Sequence, residues 1–351
     1  MTESIYSDLS WWLAMQPTFP LDRRRLLSTG AAALLAGLAG CNDSESVDPG
    51  APTDQAPAGT GVLVRADTAR LYPDDADASA AREATERLLA AYGSGAAGAD
   101  DDVGLVAEFE SRTGLSVAEA DTVVIFADEP QGEFAAYVID GEWSEATVAD
   151  AVESVTGLAY EPRDHEGGTV YEPTDGGPEA DYLGYVADGR YAVGSEAAVE
   201  AAIETVRADR GSASGAVADA LEDAEVTGDD APATSVVAAT DDPRAYLPPD
   251  DGDRVPDIAS LDVYELATVG TVAYATDGSS VAVDAELRAD SRSDAREMAD
   301  LTVAVRSFLR NDAEDAVAAE LSNIGIDQDD DVVTVSYRGD VEGAAVLAGY
   351  L

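Results

Sequence analysis

Lysine is missing from this chain of 351 residues: all 20 basic residues are arginine, set against 71 acidic ones. A chain with no basic cluster cannot neutralise a row of phosphates, so nucleic acid is excluded as a direct partner. Cysteine occurs once, at Cys41, which excludes an internal disulfide. Histidine also occurs once, at His165, so a tetrahedral zinc site built from His and Cys is excluded on count. The apolar run from Leu26 to Gly40 is short of the roughly 20 residues that cross a bilayer. Aromatic residues make up 6% of the chain and much of the 46% hydrophobic content is alanine, which suffices for one or two modest cores.

What is abundant is negative charge. The formal net charge is −51, and the residues from Cys41 onward carry all of it, with 17 arginines against 68 acids. Such a body repels itself in dilute buffer. In molar salt the screening length falls to about 3 Å and the repulsion fades. A charge spread through the whole body, with no lysine anywhere, reads as adaptation to strong brine rather than as a binding patch.

The N-terminus is the most informative stretch. Arg23 and Arg24, in Asp22-Arg23-Arg24-Arg25-Leu26-Leu27, stand before the weakly apolar run Leu26–Gly40. Paired arginines ahead of such a run resemble a twin-arginine export signal, which implies the twin-arginine translocase as a partner during export. The run ends in Leu38-Ala39-Gly40-Cys41, which resembles the lipobox of lipoproteins. That resemblance implies a lipid on Cys41, cleavage before it, and a location on the extracytoplasmic face of the cell membrane, with the membrane itself as partner. Residues 1–14 hold Glu3 and Asp8 and no basic residue, and Met15 offers a second start. Asn42-Asp43-Ser44 is the one N-glycosylation sequon, which makes Asn42 a candidate acceptor beside the lipidated residue. Together with the acidic composition, these features resemble the exported surface lipoproteins of haloarchaea, of unknown function.

The expected organisation is a signal over 1–40, a lipidated Cys and flexible tether over 41–60, and two α+β halves, 61–228 and 229–351. The tether is expected from its Pro, Gly, Ser and Asp content. In the first half, strands are expected at Gly61–Ala66, Thr122–Ala127, Glu133–Ile139, Thr169–Glu172, Tyr182–Ala187 and Arg190–Gly194. Helices are expected around Thr85–Tyr92 and Leu105–Phe109, after a Ser144 cap, after a Ser195 cap and over Ala216–Leu221. Asp188-Gly189 signals a hairpin. The second half restarts at Thr234–Ala239, with a hairpin of Thr271–Ala275 and Val281–Leu287 across Asp277-Gly278. Alternation in Val281–Leu287 predicts one wet face, presenting Ala282, Asp284 and Glu286. Ser293 is expected to cap a long helix, and Val332–Arg338 and a helix from Val341 close the chain. Hairpins followed by helices argue α+β, with antiparallel or mixed sheets and helices packed on one face. The two halves share an element order, best seen in Val123–Glu153 beside Val272–Thr302, as a duplication would leave it. The stretch from Tyr182 to Leu247, with Asp-Gly-Arg-Tyr-Ala-Val-Gly-Ser at 188–195, is similar to a broad family of α+β surface proteins of unknown function. That family carries no activity to transfer.

The candidate chemistry is thin. Gly93-Ser94-Gly95-Ala96-Ala97-Gly98 has the G-x-G-x-x-G spacing, but a helix precedes it and three Asp follow it, so no dinucleotide site is expected. His165 lies in the polar stretch Arg163–Gly168, read as an exposed loop, and no G-x-S-x-G elbow accompanies it; Gly211-Ser212-Ala213-Ser214-Gly215 has Ala at the nucleophile position. Asp74–Asp77, Asp100–Asp102, Asp250–Asp253 and Asp329–Asp331 are oxygen-rich, but none has the spacing of an EF-hand. No catalytic residue, cofactor or metal ligand is assigned. The reading is a non-catalytic, lipid-anchored surface protein that binds or scaffolds at the cell envelope, its protein or solute partner open. The alternatives are a solute-binding lipoprotein of a transporter and a carboxylate-based or metal-assisted hydrolase.

Overall fold

The computed structural model describes residues 52–71, 110–129, 132–174, 180–207, 210–228, 231–246 and 261–350. Arg23, Arg24, Leu38, Ala39, Gly40, Cys41 and Asn42 lie outside the described residues, as do the helices expected at Thr85–Tyr92 and Leu105–Phe109, the Gly93–Gly98 spacing and three of the four acidic runs. The protein is α+β, and its chain falls into two compact units that meet in sequence at Asp219 and Ala220.

In the first unit the strands are β1 (Val62–Asp67), β2 (Ala120–Ala127), β3 (Ala135–Gly141), β4 (Tyr160–His165), β5 (Gly168–Pro173), β6 (Tyr182–Ala187) and β7 (Arg190–Gly194). Their order is β1-β2-β3-β7-β6-β5-β4, every pairing antiparallel. The central strands are apolar on both faces: Val123, Val124, Phe126, Ala136 and Val138 have no exposure. Helix α1 (Glu145–Thr156) starts where Ser144 accepts the Thr147 N–H and stops at Gly157, whose φ of 68° is the left-handed conformation that glycine adopts freely.

Helix α2 (Glu196–Arg207) buries Ala198, Val199, Ala202, Ile203 and Thr205. It comes very close to the sheet, because β5 and β6 present glycine beneath it. A Cβ on Gly168 would sit 2.8 Å from Ile203 Cγ2. Ser195 precedes this helix, but its Oγ is buried without a hydrogen-bond partner; its carbonyl accepts from Val199 N instead. Thr53, Gln55 and Ala56 are buried, and Pro57 forms a β-bridge with Ser212, so the residues just before β1 pack into this unit. Helix α3 (Ala216–Asp223) follows and runs across the sequence junction of the two units.

In the second unit the strands are β8 (Thr234–Thr240), β9 (Ala267–Thr276), β10 (Ser280–Ala289), β11 (Ile324–Asp329) and β12 (Val332–Asp340), in the order β8-β9-β10-β12-β11 and again antiparallel. Helices α4 (Arg292–Asp312), α5 (Asp315–Leu321) and α6 (Val341–Tyr350) share one core with the sheet. Val281, Val283, Ala285 and Leu287 of β10 and Val333, Val335 and Tyr337 of β12 pack there with Met298, Val305, Leu309, Leu321 and Leu347. Two expectations are corrected here. The cap of α4 is Ser291, whose Oγ accepts from Asp294 N, because the helix starts at Arg292, ahead of Ser293. The second face of β10 is wet only toward its end: Ala282 is 1% and Asp284 4% exposed, whereas Glu286 is half-buried and Arg288 exposed.

Candidate functional site

Three groups of charged side chains are built into the described residues. The first joins β4 to α2. Glu196, Glu200 and Glu204 recur every four residues, which places them on one ridge of the helix about 6 Å apart. On β4, Arg163 and His165 are two residues apart, about 6.6–6.8 Å along one face. The two spacings nearly match, so the rows interdigitate. Arg163 donates to Glu196 at 2.9 Å and to Glu200 at 2.5 Å, with Glu172 at 3.7 Å. His165 Nε2 lies 3.1 Å from Glu204 Oε1 and its Nδ1 3.7 Å from Glu200 Oε1. Arg210 closes the row on Glu204 at 2.6 Å.

His165 is therefore not an exposed loop residue. It ends an edge strand, and its side chain is 19% exposed. Both ring nitrogens face carboxylates rather than a hydroxyl, so this group is an ion cluster and not a nucleophile–base pair. Pairs this open to water contribute about 0–1 kcal/mol each.

The second group lies at the ends of β3 and β7. Asp140 is 8% exposed and takes both Nε of Arg190, at 2.5 Å, and Nη2, at 3.2 Å; Gln55, 1% exposed, donates to Oδ2 at 3.1 Å. Tyr171 nearby donates to Glu145 at 2.8 Å, and burial together with that bond pushes its phenol up to about 12. The third group is in the second unit, where Asp284 Oδ2 accepts from Arg338 Nη2 at 2.7 Å, from Thr227 N at 2.8 Å and from Thr227 Oγ1 at 3.1 Å.

Asp140 and Asp284 were not singled out by the sequence reading. The signal for them is an acid that directly follows or interrupts an apolar run, AAYVI before Asp140 and VAV before Asp284. Of the acidic runs, the described one is spread apart: Asp330 and Asp331 form the β11–β12 turn, and the carbonyl of Asp331 accepts from Ala289 N. Among the described residues no group of three or more His, Cys, Asp or Glu is placed to hold a metal ion, and no helix is long and apolar enough to cross a membrane.

No protein-family model and no curated protein matches the chain. Solved structures of TP0453 resemble it weakly. Crystal form III is 11% identical with a TM-score of 0.48, covering 88% of this chain and 100% of that one. Crystal form IV gives 11% and 0.46 over 87% and 97%, and crystal form I 10% and 0.42 over 87% and 98%. A likeness of this degree says nothing about ligand or activity.

Proposed function

We propose that this chain is a lipid-anchored protein of the extracytoplasmic face of the cell membrane, exported through the twin-arginine route, with a non-catalytic binding or scaffolding role at the envelope of a cell that lives in brine. The observation that carries the reading is the placement of Cys41. The single cysteine of 351 residues follows Leu38-Ala39-Gly40 directly, at the end of an apolar run headed by Arg23 and Arg24. The acidic, lysine-free body supports a saline setting, since its charge of −51 is tolerable only where salt screens it.

The anchoring is tested by Cys41→Ser. Loss of the protein to the medium, or its retention as an unprocessed precursor, is the expected result. Mature-sized protein that stays with the membrane at wild-type level overturns the lipid anchor. Replacing Arg23 and Arg24 by Lys together is expected to block export, and unimpaired export excludes the twin-arginine route.

A further inference from the structure

The face of the second unit's sheet opposite α4, α5 and α6 carries polar side chains between alanines. Register across β9, β10 and β12 sets Thr271, Glu286 and Thr334 in one row and Ala273, Asp284 and Ser336 in the next. Residues directly opposed share a face, with Cβ atoms about 4.5–5.5 Å apart. Two carboxylates and three hydroxyls thus lie side by side on three adjacent strands.

Asp284 is 4% exposed, and its two oxygens are unequal. Oδ2 receives all three hydrogen bonds described above, whereas Oδ1 is buried and receives none. A buried carboxylate oxygen without a donor or a cation is costly. Arg338 serves Oδ2 from the row of Ala282, on the far side of Asp284 from Glu286. Arg288, two residues past Glu286 on the same face, flanks the pair from the other end, so two arginines stand beside the two acids.

We propose that this face binds a hard divalent cation of calcium size, through Asp284 Oδ1 and the Glu286 carboxylate, with the hydroxyls of Thr271, Thr334 and Ser336 and water completing the shell. The donor set is oxygen only, which suits calcium or magnesium and not a thiolate- or imidazole-seeking metal. Calcium accepts six to eight oxygens in irregular geometry, whereas magnesium demands a near-ideal octahedron. A sheet fixes its side chains at the spacing of strands and pleats, which favours the tolerant ion. Hydroxyls replace a third acid here, so counting acids alone does not find the site.

The test is thermal unfolding of the purified mature protein in molar KCl, titrated with calcium chloride at constant ionic strength. A saturable rise in Tm of about 2–4 °C is expected. Glu286→Gln is expected to abolish the saturable rise, and Thr334→Val, which removes an oxygen and no charge, to raise the half-saturating calcium concentration several-fold. Glu297→Gln, an exposed acid on α4, is expected to leave the rise unchanged. A rise that never saturates, or one that Glu286→Gln retains, reports diffuse screening of the acidic surface and overturns the site.

Discussion

Val199 lies so close above Gly184 that a Cβ on the glycine would stand 2.7 Å from Val199 Cγ1. The strand runs beneath α2 at a distance that only glycine permits, and Ile203 Cδ1, at 3.3 Å from the same point, blocks the nearest escape. Gly184→Ala therefore overpacks this contact and is expected to cost about 1–3 kcal/mol. Pairing it with Val199→Ala is expected to recover part of the loss, since two residues in contact do not act additively. Denaturant melts of the three variants in molar KCl measure both quantities. A harmless Gly184→Ala means that α2 stands farther off the sheet.

Asp277 governs the β9–β10 turn. Its Oδ1 accepts from Ser279 N at 2.9 Å, Ser280 N at 2.8 Å and Ser279 Oγ at 2.9 Å. Burial raises the carboxyl, but these bonds outweigh it and hold it down at about 2. A depressed carboxyl adds stability above its ordinary value near 3.8 and loses it as pH falls through the folded value. Asp277→Asn keeps an acceptor that does not titrate. The stability gap between wild type and Asp277→Asn is expected to be widest above about pH 4 and to shrink toward pH 2. A gap constant from pH 5 to 2 excludes a role for the ionised carboxyl.

The β4–β5 turn holds a residue in an unfavourable conformation. Glu166 has φ 45° and Gly167 φ 83°, so both central positions are left-handed, as a type I′ turn requires. Asn tolerates that region better than Glu, whose side chain crowds the following carbonyl. Glu166→Asn is expected to raise stability by roughly 0.5–1 kcal/mol and leave the spectrum of the folded state unchanged. A loss of stability means that Glu166 makes a favourable contact in the turn.

The acid excess sets a salt requirement. With a formal charge of −51 and no lysine, far-UV circular dichroism of the mature protein is expected to show loss of fold as KCl falls from molar to millimolar. A cooperative transition with an unchanged midpoint at low salt shows that charge repulsion does not limit stability.

Elements whose signals are local were legible in the sequence. Ser144 caps α1, Asp277-Gly278 marks its hairpin, and Val333, Val335 and Tyr337 face the core as their alternation predicts. Strand β4 was hidden, because Tyr160–His165 has no apolar stripe. Its pairing rests on the Glu166-Gly167 turn and on the glutamates of α2, more than 30 residues away along the chain. The burial of Ala282 and Asp284 on the second face of β10 was hidden for a related reason. Alternation tells which residues share a face, not what covers it, and the partners that enclose Asp284 are 54 and 57 residues distant. The lipobox needs no fold to be read, because processing enzymes meet it as a linear segment; charge clusters that exist only after strands pair cannot be read that way.

Strand β4 ends the first unit's strand order and β11 the second's. Strand edges are commonly guarded by charge, and in brine that guard is weakened, because repulsion between exposed like charges decays over about 3 Å. β4 carries a guard of another kind. Pro162 is paired with Tyr171 and has no N–H to offer, so its nitrogen side faces outward and takes one donor away from the edge that an incoming strand would use. β11, with Ile324, Gly325 and Ile326 at its start, has no such residue and relies on Asp327 and Asp329. The two rims thus answer salt differently: one keeps a proline whose missing donor no ionic strength restores, while the other grows more permissive to self-association as the brine strengthens.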